Sequence, residues 1–218
     1  MAKKKKVTSM NIISWFMEYV EEHKKYPISV SNFAKNNNFD ESLFYEHFSS
    51  FKEVKSAIFR IFFENTYAVL EQSEDYVSFD TRNKVLTFYY TFFENLTVNR
   101  GYVEFALSCK KHKLKSFKTL SELRKSFKKY IGSLEFDTID LKEPRLEKIQ
   151  QKGIQESAWI QLLITMKFWL DDSSQGFEKT DIFIEKSIKL SFDLMDTTAI
   201  KSFIDLGKFV FKEKFQKN

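Results

Sequence analysis

Side chains with strong catalytic or metal-binding chemistry are sparse in this chain. Cys109 is its one cysteine, and its three histidines, His23, His47 and His112, lie far apart. A zinc site needs paired Cys or His at short spacing, so no metal is expected, and one thiol cannot form a disulfide within the chain. There is no glycine-rich phosphate loop, no Gly-x-Ser-x-Gly elbow and no His-Glu-x-x-His. No catalytic residue and no cofactor are therefore assigned, and an enzyme is not expected. The acids at Asp171-Asp172 and from Glu178 to Asp181 follow a helix end and read as loop and N-cap chemistry.

Groups suited to binding are more plentiful. Phe occurs 25 times in 218 residues, enough to build a bulky core and also to line an apolar cavity. Phe88, Tyr89, Tyr90, Phe92 and Phe93 cluster, followed by Phe105, Phe117, Phe127, Trp159, Phe168 and Trp169. Phe88, Tyr89, Phe92, Phe105, Phe117 and Trp159 are the candidate ligand-binding residues, with packed core the competing use of each. From Lys110 to Lys129, nine basic residues meet one acid, Glu122, beside an apolar stripe of Leu114, Phe117, Leu120, Leu123 and Phe127. That stretch is either a solvated helix face or a surface for an anionic partner.

These groups must be carried by helices. Gly (5) and Pro (2) are both rare, which disfavours a turn-rich β fold and predicts an all-α protein of about nine to ten helices. Ile12, Ile13, Phe16, Met17 and Val20 recur at helical spacing, with Pro27 beyond them. Ser29 can cap a short helix through Phe33 and Ala34, and Asn36-Asn37-Asn38 suits a turn because Asn tolerates the left-handed conformation. Asp40 can cap a second short helix, Glu41 to Phe48, and Ser49-Ser50 precede a long third one. Further helices are predicted from Ser78 or Asp80, from Gly101, over 114–131 up to Gly132, over 144–170, and from Lys179 onward. No window reaches the roughly 20 apolar residues of a membrane span, and no signal sequence follows the basic start, so a cytoplasmic protein without a membrane partner is expected.

Two short helices across a tight turn form a helix-turn-helix, held by Val30, Phe33, Ala34, Phe39, Phe44 and Phe48. The segment SVSNFAKNNNFDESLFYEHFSSFKEVKSAIF resembles the DNA-binding segment of TetR-family regulators. The family's Thr/Ser start, Ile-Ala pair, turn Gly, cap Ser, Leu-Tyr-x-His-Phe run and Lys-Glu-x-Leu continuation correspond here to six local features. They are Ser29, Phe33-Ala34, Asn38, Asp40, residues 44–48 and Phe51-Lys52-Glu53-Val54. The resemblance implies a helix-turn-helix DNA-binding domain over 1–52 and a helical ligand-binding and dimerisation domain over 53–218. It further implies a homodimer formed by the last two long helices, about 154–195, that binds operator DNA and releases it on binding a small hydrophobic or amphipathic ligand. The DNA-binding residues it implies are Ser29, Glu41, Ser42, Leu43, Tyr45, Glu46, His47 and Lys52.

The reading helix departs from the family pattern. Asp40, Glu41 and Glu46 stand where basic or small polar side chains are usual, and Leu43 replaces a small polar residue. Over residues 1–55, nine lysines oppose seven acids, and four of the nine are Lys3–Lys6. That terminal run either reaches a nucleic-acid backbone or merely solubilises the chain. A ligand-responsive repressor is the expected function. The alternative is a TetR-fold protein that binds a lipid or other hydrophobic ligand and has lost specific DNA binding.

Overall fold

The computed structural model describes residues 7–107, 118–138, 143–195 and 206. Lys3–Lys6, Cys109, His112, the 110–117 part of the basic stretch with Phe117, and the Thr197-Thr198 junction lie outside them. Among the described residues ten α-helices can be bounded and no strand occurs, so the fold is all-α. They are α1 (Ser9–His23), α2 (Val30–Asn36), α3 (Glu41–Tyr45), α4 (Phe51–Glu71), α5 (Glu74–Ser78), α6 (Thr81–Val98), α7 (Arg100–Leu107), α8 (Ser121–Ser133), α9 (Pro144–Asp171) and α10 (Glu178–Met195).

Local chemistry explains most of the helix ends. Thr8 and Asn11 form a reciprocal capping box at α1: the Asn11 N–H donates to Thr8 Oγ1 at 3.2 Å, and the Thr8 N–H donates to Asn11 Oδ1 at 3.1 Å. α1 stops at His23, before Pro27, because Lys24 turns left-handed (φ 50°) and its N–H closes on Val20 O. Glu53 reaches back to accept from the Ser49 N–H and Oγ, both at 2.8 Å, which steadies the start of α4. α3 is shorter than expected, ending at Tyr45 rather than Phe48. α8 ends at Ser133, one residue past Gly132 and close to the stop that the glycine marks. The five-residue α5 was not anticipated, since so short an element carries no periodic signal.

The chain divides into two compact units, residues 1–69 with 91–127 and residues 70–90 with 128–218. In the first, Phe16 lies at the centre of an aromatic cluster, 5.4 Å from Phe51, 5.9 Å from Tyr26, 6.3 Å from Phe33 and 6.4 Å from Tyr102. α1 packs on α7 there, and the Glu21 carboxylate accepts the Tyr102 N–H at 3.1 Å. α6 is tied to α4 by Asn95, whose amide donates to Phe62 O at 3.1 Å. In the second unit, the Tyr76 and Tyr130 hydroxyls meet at 2.7 Å, Tyr130 also donates to Lys84 O, and the Tyr130 ring stacks on Phe88.

The α9–α10 connection is held by one buried carboxylate. Asp172 accepts from the Ser174 N–H (2.8 Å) and Oγ (2.7 Å) and from the Thr180 N–H (2.9 Å) and Oγ1 (2.7 Å). Burial by itself would raise this carboxyl's pKa; the bonds from Thr180 and Ser174 more than offset that and hold it well below the ordinary range. Gly176 and Phe177 both adopt left-handed backbone here (φ 62° and 60°), and the Phe177 ring packs against Trp169.

Candidate functional site

The helix-turn-helix is built as its sequence suggested. Ser29 Oγ caps α2 by accepting the Asn32 N–H at 3.2 Å, and Asn38 takes the left-handed turn position (φ 55°). Asp40 then caps α3, accepting from the Ser42 N–H at 2.8 Å and Ser42 Oγ at 2.6 Å. Phe33, Ala34, Phe44 and Phe48 are buried beneath it, whereas Val30 and Phe39 are half-buried. Helices of seven and five residues hold little structure alone, so this aromatic floor keeps the unit folded.

Of the eight residues singled out for DNA contact, Ser29, Ser42, Tyr45, Glu46, His47 and Lys52 are exposed, and Glu41 and Leu43 are half-buried. Several are already engaged. Ser29 and Ser42 take part in the caps, and the Tyr45 hydroxyl lies 3.4 Å from a Glu41 carboxylate oxygen. His47 Nε2 donates to Val7 O at 3.1 Å. That contact had no sequence signal, because it joins residues 40 positions apart. It also fixes Val7, the residue that follows the lysine run, against the C-terminal end of the helix-turn-helix.

The second unit contains a cavity of about 440 Å³, a size suited to a small molecule. Val85 and Tyr89 of α6, Ile131 of α8, Phe136, Ile154 of α9, and Ile188, Leu194 and Met195 of α10 form its apolar and aromatic lining together with Ala158 and Phe192, and Asp137, Thr138, Gln150, Ser157, Gln161 and Ser191 add polar groups. The Tyr89 hydroxyl donates to Ala158 O at 3.5 Å, and burial pushes its pKa far above the usual phenol value, so it stays protonated. Among the six aromatic candidates, Tyr89 lines this cavity. Phe88, Phe92 and Trp159 are buried elsewhere in the helical core, and Phe105 is half-buried with its ring edge on Tyr26. Phe117 is outside the described residues. Gln161, Ser191, Phe136 and Phe192 were not anticipated: Phe136 lies outside any helix, and nothing in a periodic pattern separates a cavity-facing Gln from a solvent-facing one.

α9 and α10 also expose apolar side chains. Ile160, Ile164, Ile182, Leu190 and Leu194 are each at least half exposed. Beside them Phe168 and Phe183 stack at 4.5 Å, and with Ile182 and Leu190 they line a shallow groove. Among the described residues no helix is long and apolar enough to cross a membrane.

A search of curated proteins finds no match to the chain. A family model described as Tetracyclin repressor-like, C-terminal domain, matches residues 84–210, more than half of the chain. That match runs from within α6 through α10 and includes every residue that lines the cavity. With its capped helix-turn-helix ahead of this matched part, the chain belongs to the tetracyclin repressor-like (TetR) family of regulators.

Proposed function

We propose that the protein is a ligand-responsive transcriptional regulator, acting as a cytoplasmic repressor, that binds operator DNA as a homodimer. In this reading residues 1–52 bind DNA, with α3 in the major groove, and residues 53–218 bind ligand and pair the subunits. The observation that carries it is the doubly capped α2–turn–α3 unit preceding a family-matched C-terminal part. Ligand in the α6–α10 cavity shifts the dimer between two spacings of its reading heads, and only one of them fits successive major grooves. Genomic fragments captured on the purified protein at moderate salt are expected to share one inverted-repeat operator. Capture of no enriched sequence would sink the reading. Tyr45→Ala is expected to weaken operator binding by roughly tenfold, because it removes a donor exposed on α3.

The acidic character of α3 favours a second reading, a hydrophobic-ligand-binding protein without specific DNA recognition. Glu41 and Glu46 repel phosphate, and no Lys or Arg lies on α3 to offset them. A lipid that co-purifies with protein that retains no operator selects this reading. Loss of operator binding on Tyr45→Ala excludes it.

Pairing through α9 and α10 is supported by their apolar strip, which exposes Ile164 and Leu190 to water in a single copy. An Ile164→Asp, Leu190→Asp double variant is expected to move the protein from dimer to monomer in light scattering, with its helical circular dichroism retained. A dimer of unchanged mass would place the interface on other surfaces.

A further inference from the structure

The chemistry of the α6–α10 cavity restricts what it can hold. Among its described lining residues the one charged group is Asp137, an acid, and no cation faces the space. An anionic headgroup drawn inside would lose its water and gain no counter-charge from these described lining residues, which is unfavourable in a largely apolar site. Two polar side chains of the wall, Gln161 and Ser191, bond to each other. Gln161 Oε1 accepts from Ser191 Oγ at 2.9 Å, and Gln161 Nε2 donates to Ser187 Oγ at 3.2 Å. An amide has two N–H donors and two acceptor lone pairs, so these bonds use half of its capacity. One N–H and one lone pair remain on Gln161, in a wall that joins apolar side chains such as Val85, Ile131, Ile154 and Ile188 to the polar Thr138, Gln150, Ser157 and Ser191.

We propose that the cavity selects an uncharged amphipathic molecule, an apolar body with one hydroxyl, carbonyl or amide that pairs with Gln161, and rejects carboxylates of the same length. The proposal rests on the reading of this cavity as the ligand site and names the ligand's chemical class. A neutral oxygen group replaces its lost water bonds at Gln161, and the apolar remainder gains from burial. A carboxylate meets the same acceptor-and-donor pair with a full charge to neutralise and Asp137 as its nearest charged neighbour among the lining residues.

Displacement of the neutral dye Nile red from the full-length protein tests this, with dodecan-1-ol and dodecanoate as competitors at pH 8 and below their aggregation concentrations. Gly153→Phe locates the dye: Gly153 lines the cavity, and a Cβ there meets nothing within 4 Å, so a larger side chain can be introduced at the edge of the space. The expected results are loss of dye binding in Gly153→Phe and, in the natural protein, displacement by the alcohol at a concentration at least tenfold below that for dodecanoate. Gln161→Leu, nearly equal in volume, is expected to keep the dye and weaken the alcohol three- to tenfold. Dodecanoate as potent as the alcohol overturns the selection for neutral ligands, and alcohol binding unchanged in Gln161→Leu overturns the role of Gln161. Dye binding unaffected by Gly153→Phe overturns instead the reading of this cavity as the ligand site.

Discussion

Replacement of Phe33 by alanine is expected to destabilise the helix-turn-helix by about 3–5 kcal/mol, the range for emptying a fully buried aromatic site. Phe33 is completely shielded from solvent, and its ring lies 5.5 Å from Phe51, 6.0 Å from Phe39, 6.3 Å from Phe16 and 6.4 Å from Phe44. Its ring therefore meets α1, the turn, α3 and α4 together. Neither α2 nor α3 is long enough to persist without that floor, so the loss is felt as local unfolding rather than as a quiet void. Urea denaturation and hydrogen exchange read the two levels. A lowered midpoint with early exchange of α2 and α3 amides is the expected result. A variant within about 1 kcal/mol of the natural protein would mean that the site collapses and refills.

The second large effect is at Asp172. Its carboxylate accepts four hydrogen bonds while almost wholly buried, and they run both to Ser174 in the connection and to Thr180 in the first turn of α10. Asp172→Ala leaves the donors of Thr180 and Ser174 without their acceptor and is expected to cost about 2–4 kcal/mol, with Asp172→Asn intermediate. The cost reaches beyond the capping bonds, because Gly176 and Phe177 are kept left-handed by the same connection. The pH dependence follows from the direction of the shift. The folded carboxyl is held below the ordinary value of 3.8, so its contribution is complete above that pH. It is lost progressively as pH falls toward and through the folded value. Natural protein and Asp172→Asn should therefore converge in stability on acidification from pH 5 and stay apart at neutral pH. A constant gap across that range would mean that the charge contributes nothing.

Asp172 also shows how far a sequence can be read. Acids after a helix end suggest capping, and Asp172 does accept the Thr180 N–H as a cap would. That one carboxylate reaches eight residues along the chain to do so depends on the loop path, which no local propensity specifies. Ser29, Asn38 and Asp40 lie at the other extreme. Each acts within three residues of itself, through a hydroxyl, a left-handed backbone or a carboxylate, and each stands where its type predicts. The aromatic residues fall between. Their number announced a bulky core, and Phe88, Tyr89 and Phe92 are indeed buried. Which ring would face a cavity depended on neighbouring helices: Tyr89 lines the space, as does Ala158, while Trp159, one residue further and about 100° around α9, does not.

The helix-turn-helix, opened by Ser29 and turned at Asn38, was thus determined by the sequence itself, because caps and turns are contacts between near neighbours in the chain. Tertiary structure alone decided that His47 would be tied to Val7, that Gln161 would keep spare hydrogen-bonding capacity beside an apolar space, and that Asp137 would be the one charge among the described residues on its wall. Those outcomes need residues distant in sequence to meet. The helical period says which side chains share a face, and only packing says what that face meets.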